Sequence, residues 1–277
     1  VINGDAASMG KALMDDPRCR KVAFTGSTRV GKLLMDAASR TVKRLALELG
    51  GNAPVIVFPD VDVAAVARAG VIAKLRNAGQ VCIAPQRYIV HASIADAFGA
   101  AAAEAMGREV MGHGLSPETT VGPLINGTQR DRVAALVEGS LNGGARALAG
   151  GHRGKSDRGF FYAPTVLDRL APDAPVLREE IFGPVMPIVT FETPEEALRI
   201  AHETEYGLAS FVFTRDLKTA MNVSERLQFG LVGVNDWYPV TAEAPFGGMK
   251  QSGLGRESGL EGVHEYVEAR TRYFGGL

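Results

Sequence analysis

At 277 residues the chain is long enough for about two domains, and a hydrophobic content of 46% with 22% charged residues is that of an ordinary soluble globular protein. A formal net charge of −1 excludes the basic footprint of a nucleic-acid or anionic-membrane binder. No apolar run approaches the roughly 20 residues of a spanning helix, no secretory signal precedes Asp5, and two cysteines, Cys19 and Cys82, are too few for a disulfide framework.

In chain order, the first signal is "VAFTGSTRVGKL", Val22 to Leu33, where a short apolar strand runs into a glycine turn and then a helix. "KVAF" and "RLALEL" read as strands flanking the helix that carries "GKLLMDAAS". "APVIVF" is a continuous apolar run, as expected of a strand buried on both faces. Asp62 caps a long predicted helix, "VDVAAVARAGVIAKLRNAG", that runs toward Gly79 and Cys82. Further strands read at "RYIVH", "MPIVTF", "ASFVF" and "LVGVN", with helices over 94–107, 127–139, 194–203 and 216–227. "PFGGMKQSGLGRESG" reads as a glycine-rich loop without room for a regular element. The tail "EYVEARTRYF" alternates Val267, Ala269, Thr271 and Tyr273 against Glu268, Arg270 and Arg272, which is strand periodicity. This alternation of helix and strand predicts an α/β fold with largely parallel sheets.

Gly26, Gly31 and Lys32 match most of a triphosphate-binding loop, G-x-x-x-x-G-K. The next position, which should carry a magnesium-holding hydroxyl, is Leu33, and the candidate acidic strand end, Asp60, follows a proline that distorts it. Two readings of the turn remain: a plain strand–turn–helix junction, or a helix N-terminus that holds a dinucleotide.

"NAGQVC" delivers Cys82 at the end of a helix. A lone cysteine is ordinarily a small buried hydrophobe, and a catalytic one needs a base. The five histidines form neither a partner motif nor a metal-ligand spacing, so no metal is expected. The candidate partner is Glu48 in "LELGGN", a carboxylate at the end of an apolar strand, for which helix capping is the structural alternative.

"FTGSTRVGK", "LELGGNAP", "NAGQVC", "EEIFGP" and "PFGGMKQSGLGRE" together resemble the aldehyde dehydrogenase superfamily, in its order and spacing and over essentially the whole chain. The resemblance implies a partial Rossmann-type cofactor domain over 1–48, an α/β catalytic domain over 49–250, and a glycine-rich return loop with an oligomerisation arm over 251–277. It implies NAD or NADP as cofactor and a dimer or tetramer. Cys82 would attack the aldehyde carbonyl, and Glu48 would activate the water that hydrolyses the resulting thioester. Thr25, Gly26, Ser27, Gly31 and Leu49 would line the cofactor turn, with Ser27 near the pyrophosphate. Glu180 and Phe182 would contact the nicotinamide ribose and ring, core packing being the alternative for Phe182. The family's oxyanion-stabilising asparagine lies upstream of Val1, and a chain starting in mid-pattern without Met leads us to expect further sequence before it.

Arg76, six residues before Cys82, and Thr241 in "VTAEAPFGG" resemble the residues with which succinate-semialdehyde dehydrogenases grip the substrate's far carboxylate. The bland reading of Arg76 is a solvated helix residue paired with an acid. Two departures from that group stand out: Ala84 replaces a second cysteine, and "PQR" follows it. Another ω-semialdehyde or a neutral aldehyde is the alternative substrate; the alternatives from other classes are an inactive or truncated relative kept for its oligomer-forming surface and a phosphate-loop nucleotidase. With a reducing compartment implied by the cysteine count, the expected location is cytoplasmic, without membrane or nucleic-acid partners.

Overall fold

A computed structural model describes residues 1–154 and 158–276. The chain opens with α1 (Ala6–Asp15), β1 (Lys21–Thr25), α2 (Thr28–Ser39) and β2 (Arg44–Glu48). It continues through β3 (Ala53–Val57), α3 (Val63–Leu75), β4 (Pro85–His91), α4 (Ala95–Gly107), α5 (Gly127–Asn142), β5 (Arg146–Ala149) and β6 (Thr165–Asp168). Then come α6 (Pro175–Arg178), β7 (Val185–Phe191), α7 (Pro194–His202), β8 (Tyr206–Gly207), β9 (Ala209–Phe213), α8 (Leu217–Arg226) and β10 (Leu231–Val234). The last elements are β11 (Met249–Lys250), β12 (Gly253–Leu254) and α9 (Gly259–His264).

The larger sheet has the order β10-β9-β3-β4-β7-β6-β5, parallel throughout except for β5. Helices α3 and α4 cover one face, and α7 and α8 the other. The apolar run of β3 therefore divides between two cores: Val55 and Val57 pack with Val71, Tyr88 and Phe98, whereas Ile56 joins Ile89, Phe191 and Val212. Burial on both sides is the physical reason for the unbroken apolar stretch. A smaller sheet joins β1 and β2 in parallel, with β12 antiparallel on the far side of β2.

Several helix starts follow from capping chemistry. Side-chain oxygens of Asp5, Ser27, Asp62, Asn126, Thr193 and Asp216 accept the amides three residues on. Asp60, the acid of the triphosphate reading, accepts from the Thr214 hydroxyl and from the amides of Arg215 and Asp216 at 2.7–3.0 Å. It fastens a turn at a strand end.

Three expectations are corrected. The glycine-rich segment is not free of regular structure: it holds β11 and β12, and α9 begins within it. The helix aimed at Cys82 stops at Leu75, because Asn77 and Ala78 adopt left-handed conformations with φ of 50° and 53°. The tail is no strand within this chain, since no strand among the described residues pairs with residues 267–276. Strand geometry needs a ladder partner, and the tail instead runs out beyond side-chain ties to β1 and β2.

Candidate active site

The site is built where β2 runs into β3. Thr25 is the register partner of Glu48 across the small sheet, and the Gly26 amide donates to the Glu48 carbonyl at 2.9 Å. Ser27 caps α2, and α2 seats on Leu49 so closely that a Cβ at Gly31 would lie 2.7 Å from the Leu49 methyls and push them aside. The expected cofactor residues are thereby gathered at one helix N-terminus, whose first N–H groups have no intrahelical acceptor. Thr25, Gly26 and Ser27 are exposed there, as a dinucleotide phosphate requires.

Beyond Leu49 the backbone is squeezed from two sides. A Cβ on Gly50 would sit 2.6 Å from Glu180 Oε2, and one on Gly51 would sit 2.5 Å from the Cys82 carbonyl oxygen. The Gly51 amide also donates to Glu180 Oε1 at 3.0 Å. The paired glycines thus bring Glu48, Cys82 and Glu180 to one place. Ser252, missed in the sequence, is fully buried and staples this stretch: its hydroxyl donates to the Gly50 carbonyl at 2.7 Å, and its carbonyl accepts from the Leu49 amide at 2.9 Å.

Cys82 is half-buried after a tight hook. Asn77 and Gln80 exchange side-chain amide bonds with each other's carbonyls at 3.0 Å. Gln80 Oε1 also accepts from the Ile125 amide at 2.9 Å. Gly79 must be glycine, because a Cβ there would meet the Gly183 carbonyl oxygen at 2.1 Å. Burial pushes the Cys82 thiol up, the charges of Glu180 and Glu48 push it further, and the backbone amides of Cys82 and Ile83 oppose them. No cation among the described residues lowers this thiol, so a base must take its proton.

Glu48 is 4% exposed, and its Oε2 has no partner among the described residues. Burial pushes it up to about 8, helped by the charge of Glu257 and opposed by Arg256. It caps no helix, which removes that alternative. A carboxyl poised there becomes a competent base for water at mildly alkaline pH. Glu180 is also raised by burial, against the Gly51 amide and the charges of Arg132 and Lys74.

Phe182 is half-buried with φ of 50°, and Ile181 rather than Phe182 enters the core. Arg76 and Thr241 are exposed, and among the described residues no hydrogen bond or ion pair ties either to this cluster. Arg76 has no acidic partner among them, so the paired-residue reading loses its support. No group of three metal-ligating side chains occurs among the described residues, and none of their helices is long and apolar enough to cross a membrane.

Comparison with known proteins gives the same frame. A sequence model described as "Aldehyde dehydrogenase family" matches residues 1–272. A succinate-semialdehyde dehydrogenase of Paenarthrobacter nicotinovorans is 46% identical over 275 residues, covering 99% of this chain and 60% of that protein. A non-phosphorylating aspartate-semialdehyde dehydrogenase of Halomonas elongata is 44% identical over 277 residues, covering 100% of this chain and 56% of the relative. A crystal structure of an NADP-dependent enzyme from E. coli superposes with a TM-score of 0.94 at 38% identity, over 97% of this chain and 56% of that one. The chain spans between half and two thirds of the length of these relatives.

Proposed function

Because this chain belongs to the aldehyde dehydrogenase family, we propose that it carries the catalytic half of a nicotinamide-dependent oxidation of an aldehyde to its acid. The observation that carries the reading is the convergence of Cys82, Glu48 and Glu180 on Gly50 and Gly51. Cys82 adds through Sγ to the aldehyde carbon while its thiol proton passes to the carbonyl oxygen, making a thiohemiacetal. The C–H of that adduct leaves as hydride and its hydroxyl proton passes to water, so that the carbon becomes a thioester. A bound nicotinamide dinucleotide supplies the acceptor for the hydride. Thr25, Gly26, Ser27 and the α2 N-terminus would hold its phosphates, and Glu180 and Phe182 its nicotinamide side. Glu48 then takes a proton from water, which attacks the thioester and releases the acid with Cys82 as leaving group.

Arg76 and Thr241 favour a substrate bearing a second anionic end. Arg76 is an exposed cation without an acid partner among the described residues, six residues before the nucleophile. The similarity to succinate- and aspartate-semialdehyde dehydrogenases supports the same class, a short ω-semialdehyde. The whole protein is read as a homo-oligomer, dimer or tetramer, without membrane or nucleic-acid partners and located in the cytoplasm.

Supplied with succinate semialdehyde and NAD or NADP, the protein should form reduced cofactor, and Cys82→Ala should form none. Glu48→Gln should give one burst of reduced cofactor and then stall. Steady turnover in Cys82→Ala overturns the nucleophile, and undiminished turnover in Glu48→Gln overturns the base.

A further inference from the structure

Gln86, in the unusual "PQR" that follows the nucleophile loop, is 3% exposed and has no part in the reaction above. Its Nε2 donates to the Glu179 carbonyl at 2.6 Å, and its Oε1 accepts from the Ile181 amide at 3.1 Å. One side-chain amide thereby spans both peptide groups that flank Glu180, as a ladder rung would. The neighbouring carbonyls are held in the same way. Arg132 donates to the Glu180 carbonyl at 2.8 Å, and Gln129 donates to those of Ile181 and Phe182 at 3.1 and 2.9 Å. Four successive carbonyls, 179 to 182, are therefore fixed by side chains of β4 and α5 instead of by a neighbouring strand.

Such a brace has work to do here. Phe182 sits in the left-handed region, which is strained for a residue with a Cβ and persists only where the surroundings impose it. Glu180 must also hold Oε1 on the Gly51 amide although burial disfavours its charge. A residue gripping the backbone on either side of Glu180 removes the freedom with which that carboxylate would swing away.

We propose that Gln86 is a positioning residue, which clamps the backbone on both sides of Glu180 and so holds that carboxylate ready for a cofactor ribose. This rests on the reading of Glu180 as a cofactor contact, and the test separates the two. Gln86→Leu removes both bonds at similar volume. Gln86→Asn keeps the amide but is one methylene too short to reach both groups, and covers the case in which the leucine variant fails to fold.

Amide hydrogen exchange should speed up in 179–183 in both variants and stay unchanged elsewhere. The dissociation constants of NADH and NADPH, whichever binds, should rise about tenfold in Gln86→Leu, the scale of one or two lost hydrogen bonds. Iodoacetamide should label Cys82 at the parental rate, because its hook is held by Asn77 and Gln80. Glu180→Gln should weaken cofactor by at least as much. If Glu180→Gln weakens cofactor and the Gln86 variants do not, the clamp is overturned. If Glu180→Gln binds as the parent does, or the parent binds neither cofactor, the reading of Glu180 falls and the clamp falls with it.

Discussion

Glu48, the last residue of β2, lies opposite Gly253 of β12 in an antiparallel pair. Gly253 has φ of 137°, and a Cβ there would lie 1.8 Å from the Leu47 carbonyl oxygen. That strand, in the segment first read as a featureless loop, is what closes the far side of Glu48. Gly253→Ala would have to expel β12 or distort β2, at a cost of about 2 kcal/mol or more. Its melting temperature should fall by roughly 4–8 °C for a chain of this size, with Cys82 still alkylated because its hook lies between α3 and β4 of the larger sheet. A variant melting within about a degree of the parent refutes the close approach.

The raised pKa of Glu48 sets a pH profile. A carboxyl held at about 8 is protonated at lower pH and cannot take a proton from water. Hydrolysis of the thioester should climb about tenfold per pH unit below 8 and level off above it. The stability linkage has the opposite sense: the folded state keeps this proton from the ordinary value of 4.5 up to about 8, so the stability that it contributes is lost as pH rises through that window. Following the slow phase after the burst from about pH 6 to 9 checks the first statement. A slow phase without pH dependence in that range removes Glu48 from the step.

Lys74, in the last turn of α3, is fully buried and its Nζ has no hydrogen-bond partner among the described residues. Burial pulls it down from 10.5 to about 7, against the charge of Glu180. Between those values the unfolded chain binds the proton that the folded one lacks, so stability should rise with pH through this window. Lys74→Met removes the desolvated amine at little change in volume. It should stabilise the protein at pH 7 by about 1–4 kcal/mol and flatten the dependence on pH. Urea melts at pH 7 and pH 10 decide: a methionine variant less stable than the parent means that the amine has a favourable partner.

How far the sequence could be read depended on the range of the interaction. The run in β3 was legible because two-sided burial writes itself into consecutive residues. The cap at Asp62 was legible because its partner, the Ala65 amide, is three residues away. Helix α1 left no such trace, since Met14 is its one buried residue. The site was legible only as separate fragments joined by resemblance. What aligns them is long-range: Gln86 reaches Glu179, Gln129 reaches Ile181, and Ser252 reaches Gly50. Lys74 read as one more charge on a helix, because no local pattern distinguishes a buried lysine from a solvated one.

Arg76 should discriminate between substrates. A charge-assisted hydrogen bond is worth about 1.5–3 kcal/mol, and the exposure of Arg76 places it at the lower end, near tenfold. Arg76→Ala should lower kcat/KM for succinate semialdehyde by about that factor and leave propanal nearly untouched. Equal losses on both aldehydes would show that Arg76 serves the fold.

The tail offers the last prediction. Its start is fastened to the small sheet: Lys21 Nζ donates to the Glu265 carbonyl at 2.6 Å and pairs with its carboxylate at 2.9 Å, and Arg44 donates to the Val267 carbonyl at 2.8 Å. Lys21 also lies over the Tyr266 ring, 4.6 Å from its centroid. Beyond these ties Val267, Tyr273 and Phe274 are exposed, and the alternating pattern finds no strand partner among the described residues. An alternating segment with bare backbone groups gains its ladder only from outside the chain, and a second copy supplies one of fixed geometry. Arg20 also pairs with the Glu268 carboxylate at 3.2 Å, so deleting residues 269–277 keeps the ties and removes the free arm. The shortened protein should be folded, with the parental melting temperature at low concentration, and light scattering should report a smaller mass. An oligomer of unchanged mass would show that the arm folds back on its own chain.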